Sequence, residues 1–173
     1  MVFDIIKSEY ERLDDVESFL KQCNIEVWRE VIPDQCNHWE LPYKVDMIFS
    51  ISNYGLIGVE GKKINTHGQG SKYAQAYLQI RDKYKDKTYF NGKKIRRWCV
   101  FGAASSDAGG ERVECFIKHF FNSVGISFLT FIKNQYTTQV SIDSLTKNKL
   151  YIKKYKITGD DKENFLDYGE NIK

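Results

Sequence analysis

The sequence predicts an α/β domain layered around a mixed β-sheet. Three observations lead there. An N-terminal segment carries apolar residues at helical spacing, two apolar runs flank a short Ser-Asn-Tyr-Gly turn, and two nearly unbroken apolar runs, RRWCVFGA and ISFLTFI, are each preceded by a helical stretch.

The elements follow in order. Ile5, Ile6, Leu13, Val16, Phe19 and Leu20 define a first helix over residues 4–22. IEVWREVI, residues 25–32, alternates as a strand and is stopped by Pro33 and the polar loop PDQCNHWELPY. Lys44 to Ile51 and Leu56 to Lys62 form a hairpin turning through Ser52, Asn53, Tyr54 and Gly55. The loop INTHGQG leads into a second helix from Ser71 to about Lys85, with Tyr73, Ala76, Tyr77, Ile80 and Tyr84 on its packed face. Residues 96–103 and 126–132 are strands of the kind covered on both faces. Between them Val113, Phe116, Ile117, Phe120, Phe121 and Val124 repeat as a third helix. Beyond Gln135, VSIDSL and KLYIKKYKI read equally as two strands or as a helix and a strand, and GDDKENFLDYGENIK reads as a loosely held tail.

A chain of 173 residues suffices for one domain with a single core, and no repeat or linker divides it. Its four cysteines, Cys23, Cys36, Cys99 and Cys115, form no CxxC pair, which suits free thiols in a reducing compartment. The segment MVFDIIKSEYERLDD has acids where a leader needs bases, and no apolar run reaches membrane-spanning length. The expectation is therefore a soluble cytoplasmic, intracellular protein with no membrane partner. Net charge is +3, and its distribution says more. Lys93, Lys94, Arg96 and Arg97 cluster in GKKIRR, and a second block of lysines lies near the C-terminus. Such blocks suit a phosphate backbone, or else form solvated faces.

The charges in VDMIFSISNYGLIGVEGKK, residues 45–63, carry the chemistry. In a strand Glu60 and Lys62 share one face and Gly61 and Lys63 the other. A hairpin turning about Asn53 opposes positions that sum to about 106 or 107, setting Asp46 against Glu60 or Gly61, with opposed Cβ atoms about 5 Å apart. Two carboxylates and an ammonium then converge. In the first helix Glu9 falls within the apolar stripe, which is costly for a carboxylate unless a partner, a proton or a cation compensates; alternatively its helix turn is still exposed. The second helix carries Lys72, Gln75 and Gln79 as a polar stripe that either faces this site or is plain surface.

This arrangement resembles the PD-(D/E)XK nuclease superfamily, the restriction-endonuclease-like fold shared with Holliday junction resolvases and recombination exonucleases. The resemblance covers residues 4–132, in element order as well as motif. It implies a three-layer αβα sandwich with a central mixed β-sheet, an αβββαβ core, and Mg²⁺-dependent hydrolysis of DNA, Mn²⁺ substituting. Asp46 and Glu60 resemble the metal-binding carboxylates, the Gly61 carbonyl a third oxygen ligand, Lys62 the lysine that assists the attacking water, and Glu9 the helix-one acid. Gln75, with Lys72 and Gln79, resembles the polar helix-two positions. Lys63, His67, Lys72, Gln79, Lys93, Lys94, Arg96 and Arg97 are the expected nucleic-acid contacts. Val45 stands where the motif's name has Pro, and Gly61 replaces an aliphatic residue.

Other chemistries find less support. His67 is equally an exposed loop residue, and His38 and His119 lack partners at zinc spacing. GQGSKYA echoes a dinucleotide turn, but no acid follows a second strand at the required distance, so no nucleotide cofactor is expected. No GxSxG is present. A catalytically inactive nucleic-acid-binding or protein-interaction module on the same fold is the alternative. The aromatic supply, 11 Tyr, 11 Phe and 3 Trp, falls mostly on packed stripes. In so short a chain the resemblance implies either a homodimer that cuts two strands or recognition of nucleic-acid structure more than sequence.

Overall fold

The computed structural model describes residues 9–34, 44–62, 77–81, 88–102, 125–144, 148–157 and 160–168. One helix, α1 (Glu9–Gln22), precedes three strands, β1 (Glu26–Val31), β2 (Val45–Ile51) and β3 (Gly55–Lys62). Then come β4 (Tyr89–Phe90), β5 (Lys93–Gly102), β6 (Ser127–Lys133), β7 (Thr137–Asp143), β8 (Leu150–Ile157) and β9 (Asp160–Tyr168). All strands belong to one mixed sheet, in the order β1-β2-β3-β5-β6-β7-β8-β9, with β4 attached to β5. The pairs β3/β5 and β5/β6 are parallel and the others antiparallel.

The two parallel joints explain the apolar runs. A parallel neighbour cannot be reached by a tight turn, so the chain must cross over the sheet between β3 and β5 and again between β5 and β6. The first crossover contains a helical segment at residues 77–81, inside the expected second helix; Ile80 is fully buried there and Tyr77 packs beside it. The rest of that helix, and the expected third helix, lie outside the described residues.

Each face of the sheet has its own core. Leu13, Val16, Phe19 and Leu20 of α1 pack on Met47, Phe49, Ile57 and Val59. The opposite face gathers Ile48, Leu56, Ile80, Trp98, Val100 and Phe128. The spacing of Leu13, Val16 and Leu20 puts them on one side of α1, which is why this helix lies flat on β2 and β3.

Two strand boundaries depart from expectation. β4 and β5 form a hairpin through Asn91 and Gly92, whose φ angles of 50° and 75° are those of a two-residue primed turn. Asp34 caps it, accepting the Asn91 and Gly92 amides at 3.1 and 2.8 Å. The expected loose tail is instead β9, antiparallel to β8 from Leu150↔Tyr168 to Ile157↔Asp160. Strand pairing uses backbone groups that every residue but proline supplies, so a polar composition did not prevent it.

Candidate active site

The β2–β3 register places Met47 opposite Val59 and Ile51 opposite Gly55, pairs that sum to 106. Met47↔Val59 is its last pair, one step short of Asp46 and Glu60. There the regular ladder ends, and the Gly61 amide donates to Asp46 Oδ2 at 2.8 Å. A carboxylate has taken the position of a backbone carbonyl, fixing the Asp46 side chain against β3 with a charge-assisted bond.

The turn of Asp46 has a cause in the neighbouring strand. Val45 and Ile48 pack in the same core although three residues apart, and so do Val31 and Trp28 on β1. Regular alternation would separate them to opposite faces. Both strands therefore reset their alternation at the facing positions Glu30 and Asp46, where Glu30 adopts φ 49°, a conformation uncommon for a residue with a side chain. Arg29 secures the spot from the α1 side. Its Nε donates to the Asp46 carbonyl at 3.3 Å and its Nη1 to Asp14 and Glu17 at 2.6 and 3.1 Å.

Glu60 is 4% exposed. Its neighbours Val59 and Gly61 face α1, so its side chain belongs to the opposite face, among the buried residues beside Val100. Gly61 has a steric reason to lack a side chain. A Cβ there would come within 2.8 Å of Leu13 Cδ1, so a side chain at this position would have to displace the buried Leu13 of α1. The backbone of Lys62 pairs with Gly102 at the end of β3, and Glu9 begins α1. Among the described residues no group of three or more His, Cys, Asp and Glu side chains could hold a metal ion. The contact found there is the Gly61 amide on the Asp46 carboxylate; that carboxylate, the Glu60 carboxylate and the Gly61 carbonyl are hard oxygens of the kind Mg²⁺ prefers.

The remaining expected residues divide. Lys63, His67, Lys72 and Gln75 lie outside the described residues. Gln79 is half-buried, and its Oε1 is enclosed without a hydrogen-bond donor among the described residues. Arg97 is corrected: at 1% exposure it cannot meet a nucleic acid at the surface. Its Nε donates to Ser127 Oγ at 2.6 Å and its Nη1 to the Asn148 carbonyl, bracing β5 against β6 and the start of β8. The exposed cations are Lys93, Lys94 and Arg96. They start β5, whereas Glu60 stands at the far end of β3 opposite Val100, with Asp46 beside that end on β2, four to seven residues or roughly 13–23 Å along the strand.

The separation of Arg96 from Arg97 comes from a bulge. Leu56 pairs with Ile95 and Ile57 with Arg97, which leaves Arg96 as an extra residue on β5. Arg96 turns outward, its guanidinium 4.1 Å from the Tyr54 ring centre and its Nη1 donating to the Tyr54 carbonyl at 2.7 Å. Sequence reasoning missed Arg29, Asp34 and the contact of Arg96 with the turn residue Tyr54. For Asp34 the signal was present, since Asn91-Gly92 is a hairpin dipeptide; for the others only the sheet order supplies the partner. Among the described residues no helix is long and apolar enough to cross a membrane. No family model, curated protein or solved structure matches this chain.

Proposed function

We propose that this chain is a metal-dependent nuclease that hydrolyses DNA phosphodiester bonds, built as a three-layer αβα sandwich with a restriction-endonuclease-like core. One observation carries the reading. Asp46 is anchored on the Gly61 amide directly beside the buried Glu60, at the open end of the β2–β3 hairpin where Lys62 follows. The strand order β1-β2-β3-β5, antiparallel and then parallel, supports the same core.

In this mechanism Asp46 and Glu60, with the Gly61 carbonyl and, at the margin, Glu9, would hold a divalent ion, Mg²⁺ or Mn²⁺. When bound, it would supply Lewis-acid polarisation of the scissile phosphate and lower the pKa of a water. Lys62 holds the attacking water and offsets charge on the phosphate, a role for which a mobile ammonium is suited. Burying Glu60 favours this use, because an ionised carboxylate out of water gains most from a cation. Gln75 orients the same water, and a homodimer brings two such sites to the two strands of a duplex.

The test is cleavage of single-stranded, duplex and branched DNA with Mg²⁺ or Mn²⁺, for the native chain and for Asp46→Ala and Lys62→Ala. Cleavage lost in both variants and in EDTA is expected. Absence of cleavage on every substrate, with DNA binding retained, would identify a binding module on the same fold. The mass in solution with and without DNA decides the dimer.

A further inference from the structure

A second site lies at the other end of the sheet. Where β3, β5 and β6 begin, a cavity of about 440 Å³ opens between Tyr54, Lys93, Lys94, Arg96, Trp98 and Ile126. We propose that this cavity binds a mononucleotide unit, its phosphate held by Lys93, Lys94 and Arg96 and its base laid on the Leu56, Trp98 and Ile126 wall.

The charge is one-sided. Among the described residues, three cations line the cavity and no acid does. Cations held together repel one another and favour an anion of more than one charge between them, as a phosphate monoester is near neutral pH. Their placement is built in. The Asn91-Gly92 turn, capped by Asp34, fixes the start of β5 where Lys93 and Lys94 stand. The bulge then turns Arg96 outward onto Tyr54, an arrangement that spends one guanidinium nitrogen on the Tyr54 carbonyl and keeps the planar group aligned.

The wall is the apolar edge of the core on that face, Leu56, Trp98 and Ile126, with Trp98 its one ring and each residue at most 4% exposed. Gly58 lacks a side chain where a Cβ would come within 2.5 Å of the Trp98 ring, so this ring lies directly against the β3 backbone. A volume of this size falls within the range of about 300–1,000 Å³ common to small-ligand sites and exceeds what a bare phosphate needs. A phosphate with a flat ring attached matches both halves. Free nucleoside monophosphates and the phosphorylated terminus of a nucleic-acid chain share that chemistry. The proposal does not rest on cleavage at Asp46, which lies at the opposite end of β3.

Calorimetric titration of the full chain in EDTA, which removes any cleavage, tests it with adenosine 5′-monophosphate, adenosine and inorganic phosphate. Saturable binding of the monophosphate is expected, at least about tenfold tighter than either fragment and about tenfold weaker in Lys93→Gln/Lys94→Gln, since two charge-assisted contacts go. Lys133→Gln/Lys154→Gln removes the same charge elsewhere and leaves the affinity unchanged. Competition by a 5′-phosphorylated oligonucleotide, but not its 5′-hydroxyl form, assigns the site to a chain terminus; no competition assigns it to a free nucleotide. The proposal is overturned by absence of saturable binding, by equal losses in both double variants, or by phosphate binding as tightly as the monophosphate.

Discussion

Asp46 Oδ2 accepts the Gly61 amide at 2.8 Å, so a side chain completes the hairpin where the backbone ladder stops. The same carboxylate is proposed to hold the metal, and two variants separate the roles. Asp46→Asn keeps an acceptor for Gly61 and is expected to fold with near-native stability while losing cleavage. Asp46→Ala leaves the amide without its acceptor and is expected to lose about 1–3 kcal/mol as well. Urea unfolding measured beside cleavage distinguishes them, and native-rate cleavage by Asp46→Asn would sink the metal role.

Gly61 is set by α1. With Leu13 Cδ1 2.8 Å from the position a Cβ would take, Gly61→Val must push the helix outward or strain Leu13, at a cost of about 1–3 kcal/mol. Adding Leu13→Ala opens the space. The double variant is expected to be more stable than the sum of the two single losses predicts, a coupling that chemical denaturation reads as a double-mutant cycle. Additive losses would show that the contact is not what excludes the side chain.

Arg97 is a structural cation. Arg97→Ala removes its bonds to Ser127 and Asn148 and leaves a cavity, for an expected loss of about 2–5 kcal/mol in thermal or urea unfolding. Arg97→Met fills most of that space and is expected to lose much less, since apolar replacement of a buried ionic group is often close to neutral. DNA affinity of Arg97→Met should equal that of the native chain across a salt series. A reduced salt slope would return Arg97 to the nucleic-acid contacts.

Cys99 makes stability depend on alkaline pH. Burial pushes its thiol from an ordinary 9.0 up to about 12, with nearby Arg97 opposing the rise. The folded chain therefore keeps a proton that the unfolded chain loses from about pH 9 upward. Below that value both states hold it, and the contribution is fully present; above it, stability falls as pH rises toward about 12. Cys99→Ala is expected to flatten this fall in urea unfolding between neutral and alkaline pH. The half-buried Cys23 should react with a thiol reagent in the native state well before Cys99.

The hairpin was readable because turn and alternation together impose its register: Asn53 and Gly55 provide positive φ, and the apolar positions leave one alignment that buries them. That register brings Asp46 to the end of β3, where its carboxylate meets the Gly61 amide. Charge clustering misplaced Arg97, which was grouped with the exposed cations of GKKIRR. An extra residue at Arg96 shifts every later side chain to the other face, and a bulge has no mark in a run as uniform as GKKIRRWCVF. The tail was misread for a different reason, since β9 is recruited by the edge of β8 through backbone hydrogen bonds that composition does not report.

What the sequence determined alone is local: the apolar stripe of α1, the strands β1, β2, β3, β5 and β6, and the turn from Ser52 to Gly55 that sets the β2–β3 register. These depend on periodicity and on conformations that only a few residues accept. Tertiary structure decided the rest. The closeness of α1 to Gly61, the reset of alternation at Glu30 and Asp46, the burial of Arg97 and the gathering of Lys93, Lys94 and Arg96 beside Tyr54 and Trp98 all depend on segments distant in sequence. Contact between such segments follows from sheet order and layer spacing, which no single stretch of residues encodes.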